Sequence, residues 1–340
     1  MKTKTALWTG IGASVVFTLL IFWVASGLGS FRAALLPDQG PAWYYWKLPR
    51  PEVWATVTMW TLYAAHQILC WVFIAKLQKE KQQLMSDNIG KYNAALLITN
   101  GVFIVLHMLQ TRLFYDGLAQ FVPVFSSQYS VIGMLVLMLI MATPKRGLFF
   151  GKKIKFPQRA MTGISKTHGY YISWALVYTF WFHPMEDTAG HILGFFYMFL
   201  LMVQMSLPYT KAHMNMKWIA VLEGAVALHG TVVALQAGQT LWSMFLFGFT
   251  MMLVVTGLYG VVRFKWLRMA FTAVYIAAAA LVYSGLLPGK DISQIHQIFW
   301  IPIILYGLVF VVVWLYQGAM TLFRKRSKPV APAADSSVSA

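Results

Sequence analysis

The sequence predicts an all-α integral membrane protein, a polytopic bundle of about ten transmembrane helices with its N-terminus and C-terminus in the cytoplasm. Three observations lead to this fold class. Hydrophobic residues make up 59% of the chain and charged residues only 11%, which fits no class of water-soluble globular protein. Long apolar stretches recur along the whole chain, and the basic residues fall on alternate sides of them.

Ten apolar stretches can be identified, and most approach the ~20 residues that cross the ~30 Å hydrocarbon layer of a bilayer. They lie at residues 7–28, 54–75, 94–113, 130–142, 170–182, 189–207, 218–235, 241–262, 267–287 and 299–322. The fourth and fifth stretches are short, so we expect their helices to extend into the flanking residues. Between the fifth and sixth, Pro184 should end one helix, and Asp187 or Thr188 should cap the next.

Lysine and arginine indicate the orientation, because basic residues accumulate in cytoplasmic loops. With the N-terminus inside, 22 of the 27 basic residues lie on the inner side. The outer side keeps only Arg32, Lys47, Arg50, Arg112 and Lys290. An even number of spans with both ends inside therefore fits every loop, and we expect a bacterial cytoplasmic (inner) membrane as the location.

The net charge of +17 would suggest nucleic acid as the partner of a soluble protein. Here the basic residues are spread over all the inner loops, so we expect them to set topology and to contact anionic lipid headgroups of the bilayer. No nucleic-acid partner is predicted, whereas partner membrane subunits are possible. We predict a single transmembrane domain over residues 1–326 and a disordered cytoplasmic tail over residues 327–340.

One outer segment has a likeness to a known family. The stretch "GPAWYYWKLPRPEVW" is aromatic, as expected of side chains anchored at a membrane interface. Its Trp-Tyr and Pro spacing resembles the start of the second helix of the TspO family. The resemblance is confined to this segment, and no function is inferred from it.

The histidines are the main candidates for a functional site. Counting ~1.5 Å per helical residue places five of the eight in the outer half of the bundle, on different helices. These are His107, His183, His191, His229 and His296, and His66 lies nearer the middle. Ionisable side chains are costly in hydrocarbon and tend to mark sites or proton relays, although each one alone is also explained by a hydrogen bond between helices.

Imidazole binds Fe, Cu and haem iron, and such sites need several ligands at one place. We therefore predict His107, His191 and His229 as the leading ligands of a haem b or of a transition metal (Fe or Cu). His296 and His66 are further candidate metal ligands. The candidate catalytic residues are His183, Glu186 and Asp187 in the turn "HPMED", and Glu223, which lies deep in the seventh span and could relay protons. Capping and interface roles alone would also explain Glu186 and Asp187.

Three classes of function remain open at this point. The first is a membrane oxidoreductase or electron-transfer protein with its centre in the outer half of the bilayer, acting on quinol or another lipid-soluble substrate. The second is a multi-pass transporter, in which two inverted five-helix repeats would pair His66 with His229 around an intramembrane His/Glu site. The third is a non-catalytic assembly subunit whose histidines only hold helices together.

Overall fold

The computed structural model describes residues 1–37, 44–80 and 85–326, with the side chains of residues 324–326 left out. Within those residues the chain is built of helices and contains no β-strand, so the predicted all-α class is confirmed. The tail predicted to be disordered, residues 327–340, lies outside the described part of the chain.

Twelve α-helices follow one another in the described residues. They are α1 (Thr3–Ala25), α2 (Gly29–Ala34), α3 (Val53–Lys79), α4 (Lys91–Phe114), α5 (Val124–Arg146), α6 (Gln158–Phe182), α7 (Ala189–Ser206), α8 (Met216–Gln236), α9 (Trp242–Met252), α10 (Leu258–Val261), α11 (Lys265–Val282) and α12 (Trp300–Arg326). A π-helical turn, Leu253–Gly257, joins α9 to α10, and a 3₁₀ segment, Ile292–Phe299, precedes α12.

Nine helical segments in the described residues are long and apolar enough to cross a membrane. They include α9 together with α10 as one span, and α12 together with its 3₁₀ segment as another. The fifth predicted span forms the 25-residue helix α6, which is not among the nine. Both short stretches do extend, because α5 starts at Val124 and α6 at Gln158.

Local sequence explains where the helices next to the candidate site end and begin. α6 ends at Phe182, and Pro184 follows in the turn. Thr188 caps α7, since its side-chain oxygen accepts a hydrogen bond from the backbone N–H of His191 at 3.4 Å. Of the two caps that the sequence allowed, Thr188 and not Asp187 has this role. Asn215 caps α8 in the same way, accepting from the backbone N–H of Lys217 at 3.0 Å.

The bundle has two ends, which we name by their residues. The histidine end carries the turn of residues 183–188, which contacts α2 through ion pairs of Arg32. The basic end carries the N-terminus. There the backbone of Lys2 forms an isolated β-bridge with Asn88, and the backbone of Ser86 forms another with Thr210. The main core lies where α1, α3, α4, α6, α7 and α8 meet, and a second core joins α5, α6, α9 and α12.

The packing of the two halves is not alike. In the first half α5 packs along α6. In the second half α11 would be the counterpart of α5 in a five-plus-five repeat, yet it makes its main contacts with α9 and the π-helical turn. Much of α11 is exposed apolar surface, including Trp266 and Phe271. The helix contacts therefore give no support to the two inverted repeats of the transporter hypothesis.

Candidate functional site

Five histidines approach one another at the histidine end. His107 interacts electrostatically with His66 and with His183. His183, His191 and His229 interact with one another in the same way. The five come from α3, α4, the residue after α6, α7 and α8. The structure thus brings together four of the five outer histidines of the sequence and adds His66 to them.

His66 is built into a hydrogen-bond chain between helices. Its Nε2 lies 2.8 Å from Oδ1 of Asn100, and its Nδ1 accepts a hydrogen bond from the indole N–H of Trp181 at 3.2 Å. Asn100 in turn donates to the hydroxyl of Ser206 at 2.9 Å. Because both ring nitrogens are used, His66 has no free nitrogen for a metal, and its contacts are those of a residue that joins α3 to α4 and α6.

His107 has the opposite surroundings. It is completely buried, and neither ring nitrogen has a hydrogen-bond partner. Its ring stacks on Trp181 with the centroids 4.4 Å apart, and Phe180 and Phe195 pack edge-on against it at 4.7 and 6.2 Å. A buried imidazole without partners is costly, so its nitrogens are open to a ligand or to a proton.

His183 and His191 are held in similar ways. The Nδ1 of His183 lies 2.7 Å from the hydroxyl of Tyr44, and the Nδ1 of His191 lies 2.8 Å from the hydroxyl of Thr188. The two ring centroids are 5.7 Å apart. Each hydrogen bond fixes one ring nitrogen, so Nε2 of each ring is the nitrogen that is left to bind a ligand. The ring of Trp46 packs edge-on against that of His191, with the ring centroids 5.0 Å apart.

His183 lies just beyond the end of α6, and its protonation state follows from its burial. Desolvation, and after it the repulsion from His229, lowers the pKa of His183 to about 3. The ring is therefore neutral at physiological pH. Neutral imidazole is the form that binds metal ions.

His229 completes a group of three imidazoles with His183 and His191. It lies against α7 at Gly194, where an added Cβ would come within 2.8 Å of its Cε1 atom. Gly194 therefore allows the ring of His229 to approach α7 closely. The Nδ1 of His229 is buried and has no hydrogen-bond partner.

The acidic residues of the turn are held by Arg32 of α2. Arg32 contacts Oε2 of Glu186 at 2.5 Å and Oδ1 of Asp187 at 2.6 Å. The side chain of Glu186 is fully buried, whereas those of Arg32 and Asp187 are each 36% exposed. These contacts tie the turn between α6 and α7 to α2, and so restrain the backbone between His183 and His191.

Two predicted site residues lie elsewhere. His296 is exposed in the 3₁₀ segment, where its Nδ1 lies 2.7 Å from the carbonyl of Ser293 and its ring packs on Trp300. Glu223 forms a partly buried ion pair with Arg146, with the oxygen–nitrogen distances 2.5 and 2.6 Å. Neither side chain contacts the five histidines of the histidine end in the described part of the chain.

As the side chains stand, no group of three or more His, Cys, Asp or Glu residues in the described part of the chain has a geometry that could hold a metal ion. Sequence reasoning missed Arg32, Tyr44, Trp46 and Trp181. One signal could have indicated Arg32, because it is one of the few basic residues at an end that also carries an acidic turn.

Comparison of the chain with protein-family models, with curated protein sequences and with solved structures gave no match in any of the three.

Proposed function

We propose that this chain is a multi-pass membrane protein that binds a transition-metal ion at its histidine end and uses it for redox chemistry on a lipid-soluble substrate such as a quinol. The basic end faces the cytoplasm and the histidine end faces outward, as the distribution of basic residues indicates. A bacterial inner membrane is the proposed location. The imidazoles of His183, His191 and His229 are the proposed ligands.

One observation carries the proposal: neutral imidazoles converge, and a hydrogen bond of its own already orients each of two of them. Two imidazoles bound to one tetrahedral ion at ~2.0–2.1 Å hold their ring centroids ~5 Å apart. The ring centroids of His183 and His191 are 5.7 Å apart, which is close to this separation, and side-chain rotation would bring their Nε2 atoms to one ion. Tyr44 and Thr188 are the outer hydrogen-bond partners that such ligands usually have.

The surroundings favour a bare metal ion over haem. A haem beside His107 would have to displace the rings of Phe180, Trp181 and Phe195, which are all buried and packed around that imidazole. A single ion needs only the space between the imidazoles. His107 interacts with His183 and has both nitrogens free, so it is the nearest candidate for a fourth ligand.

Metal analysis of the purified protein tests the proposal. The protein in detergent would be stripped with a chelator, reloaded separately with Cu²⁺, Fe²⁺ and Zn²⁺, desalted and analysed for bound metal. We expect one ion per chain, and its loss in His183→Ala, His191→Ala and His229→Ala. His296→Ala and His168→Ala, which change histidines outside the group, are the matched controls and should retain the ion.

The outcomes distinguish the oxidoreductase from the other two classes of function. A visible spectrum of the untreated protein with a Soret band would favour haem over a bare ion. Wild-type protein that never retains metal or haem would contradict the oxidoreductase proposal and would leave the transporter and the assembly subunit.

A further inference from the structure

An apolar groove lies on the outside of the bundle, between α1 and α4. It has a volume of about 440 Å³ and is lined by Phe17, Ile98, Gly101, Val102, Val105 and Leu106. Gly101 leaves space between the two helices, because a Cβ atom there would meet only the ring of Phe17, at 3.9 Å. Ile98 and Val102 are exposed beside it. In a bilayer the groove therefore opens toward the acyl chains of the lipids.

An arginine lies at the outer end of the same two helices. Arg112 shares a face of α4 with Gly101 and Val105, and it lies ~16 Å beyond Gly101 along the helix axis. Its guanidinium lies over the ring of Trp23 of α1, 4.4 Å from the centroid. The preceding residue, Thr111, accepts a hydrogen bond from the backbone N–H of Met185 in the turn of residues 183–188. Arg112 is therefore at the histidine end.

The guanidinium of Arg112 uses one of its nitrogens within the described part of the chain. Nη1 donates to the carbonyl oxygens of Trp23 and Val24 and to the hydroxyl of Ser26. These bonds hold the side chain against the last turn of α1. Nε and Nη2 donate to no described residue, and no described carboxylate pairs with Arg112. Together they form the edge of a guanidinium that binds a phosphate through two parallel hydrogen bonds.

From this arrangement we infer that the chain holds one anionic glycerophospholipid of the outer leaflet, of the phosphatidylglycerol type, between α1 and α4. Nε and Nη2 of Arg112 bind its phosphate, and one of its acyl chains fills the groove. The ~16 Å from Arg112 to Gly101 is about half of the ~30 Å hydrocarbon layer, so a chain attached to that phosphate reaches the groove. The inference rests on the proposed membrane location and orientation, but it requires no bound metal.

Charge and shape together select this class of lipid. Diacylglycerol has the acyl chains without the phosphate, so it would fill the groove and leave Arg112 without a counter-ion. Glycerol 3-phosphate has the phosphate without the chains, so it would pair with Arg112 and leave the groove unfilled. Each of these compounds meets one half of the site, and both should bind more weakly than the whole lipid.

Native mass spectrometry of the metal-free, delipidated full-length protein provides the test. The protein in detergent would be titrated separately with phosphatidylglycerol, with diacylglycerol of the same chains and with glycerol 3-phosphate. We expect one phosphatidylglycerol per chain, bound at least about 10-fold more tightly than either of the other two. The first comparison removes the charged hydrogen bonds and the second removes the buried apolar area.

Gly101→Leu is the decisive variant, because it fills the groove and leaves Arg112 unchanged. It should fold, since a side chain at this position has space and leucine favours a helix more than glycine does. We expect the affinity for phosphatidylglycerol to fall by about 10-fold or more in Gly101→Leu and in Arg112→Gln. Gly307→Leu, at an exposed glycine of α12 with no atom near its Cβ position, and Arg50→Gln are the matched controls.

Two results would overturn the inference. One is wild-type protein that binds diacylglycerol or glycerol 3-phosphate as tightly as phosphatidylglycerol. The other is a folded Gly101→Leu variant that binds phosphatidylglycerol as wild type does. Metal retention by the same wild-type preparation after reloading reports on the histidine end alone, so the two proposals can fail independently. Release of the protein from the membrane fraction by detergent but not by high salt checks the location separately.

Discussion

The histidine group and the Arg146–Glu223 pair are both polar clusters inside an apolar bundle, yet they satisfy their polar atoms differently. Both oxygens of Glu223 meet guanidinium nitrogens of Arg146. In the histidine group, both nitrogens of His107 and one of His229 lack partners. Burying an unpartnered polar atom is costly, so a carboxylate that is met at both oxygens is explained by folding alone, whereas the unpartnered imidazole nitrogens are what the proposed metal ion would satisfy.

The two regions share one helix. α8 carries Glu223 toward the basic end and His229 toward the histidine end. A change in either side chain therefore acts on the same helix. Substitutions in and around the two regions should therefore differ in what they change and by how much.

Breaking the Arg146–Glu223 pair should have the largest effect on stability. Arg146→Ala leaves the largely buried Glu223 carboxylate, 16% exposed, without its partner, and we expect a loss of about 3–5 kcal/mol in the free energy of unfolding. Thermal unfolding in detergent measures it. Removing both charges, with Arg146→Met and Glu223→Met, should recover most of the loss. The exposed pair of Lys211 and Asp87 is the control, and Lys211→Ala should leave the melting temperature unchanged. A stable Arg146→Ala variant would contradict this view of the pair.

Removing the charge of a buried acid that lacks a partner should raise the stability instead of lowering it. Asp116 follows α4, its Oδ2 is buried without a partner, and burial raises its pKa to about 6. The folded state therefore binds more protons than the unfolded state between pH ~3.9 and ~6, and stability falls as the pH rises through this range.

Asp116→Asn removes the titrating group and should stabilise the protein by up to about 3 kcal/mol above pH ~6. The gain should shrink as the pH falls from ~6 toward ~4, because the wild-type carboxyl becomes protonated in the folded state over this range. Melting temperatures of both proteins across this pH range check the prediction. A difference that does not depend on pH would show that Asp116 is not the source.

The turn between α6 and α7 should depend on Arg32. Arg32→Ala leaves the buried Glu186 without its cation, and we expect a loss of about 1–3 kcal/mol, smaller than at Arg146 because Arg32 is partly exposed. Arg50→Ala, an exposed arginine at the same end, is the control. Thermal unfolding in detergent measures the stability of both variants. Equal effects of the two would count against a specific role for Arg32.

Tyr44→Phe should have the smallest effect on the fold and a specific effect on the site. It removes the hydroxyl that holds Nδ1 of His183 and leaves the aromatic ring in place. We expect metal affinity to fall by about 10–100-fold with an unchanged melting temperature, as for outer partners of metal ligands. Competition with a metal indicator measures the affinity. Tyr45→Phe, the exposed neighbour, should bind metal as wild type does.

The helices could be predicted from the sequence because they depend on local features. Each of the ten apolar stretches overlaps a helical segment of the structure, although the short helix α2 was not predicted, and Pro184 and Thr188 indicated the turn before α7. The start of α6 at Gln158 was harder to locate, because its first turns include polar residues such as Lys166 and Thr167.

The site could be predicted only in part, because counting residues along a helix gives depth but not the direction that a side chain faces. The depth estimate grouped His107, His191 and His229. Of these, His191 interacts with His229, and His107 interacts with His183, whereas His296, which the estimate also included, lies elsewhere in the fold. Tyr44 and His183 are 139 residues apart in the chain, so no local pattern indicates their contact.

Pulsed EPR of the Cu²⁺-loaded protein tests the central claim most directly, because it detects the nitrogens of coordinated imidazoles. The account predicts coupling to imidazole nitrogens in wild type, with fewer coordinated rings in each of His183→Ala, His191→Ala and His229→Ala and an unchanged signal in His296→Ala. Copper that shows no imidazole coupling, or the same coupling in wild type and all three ligand variants, would contradict it.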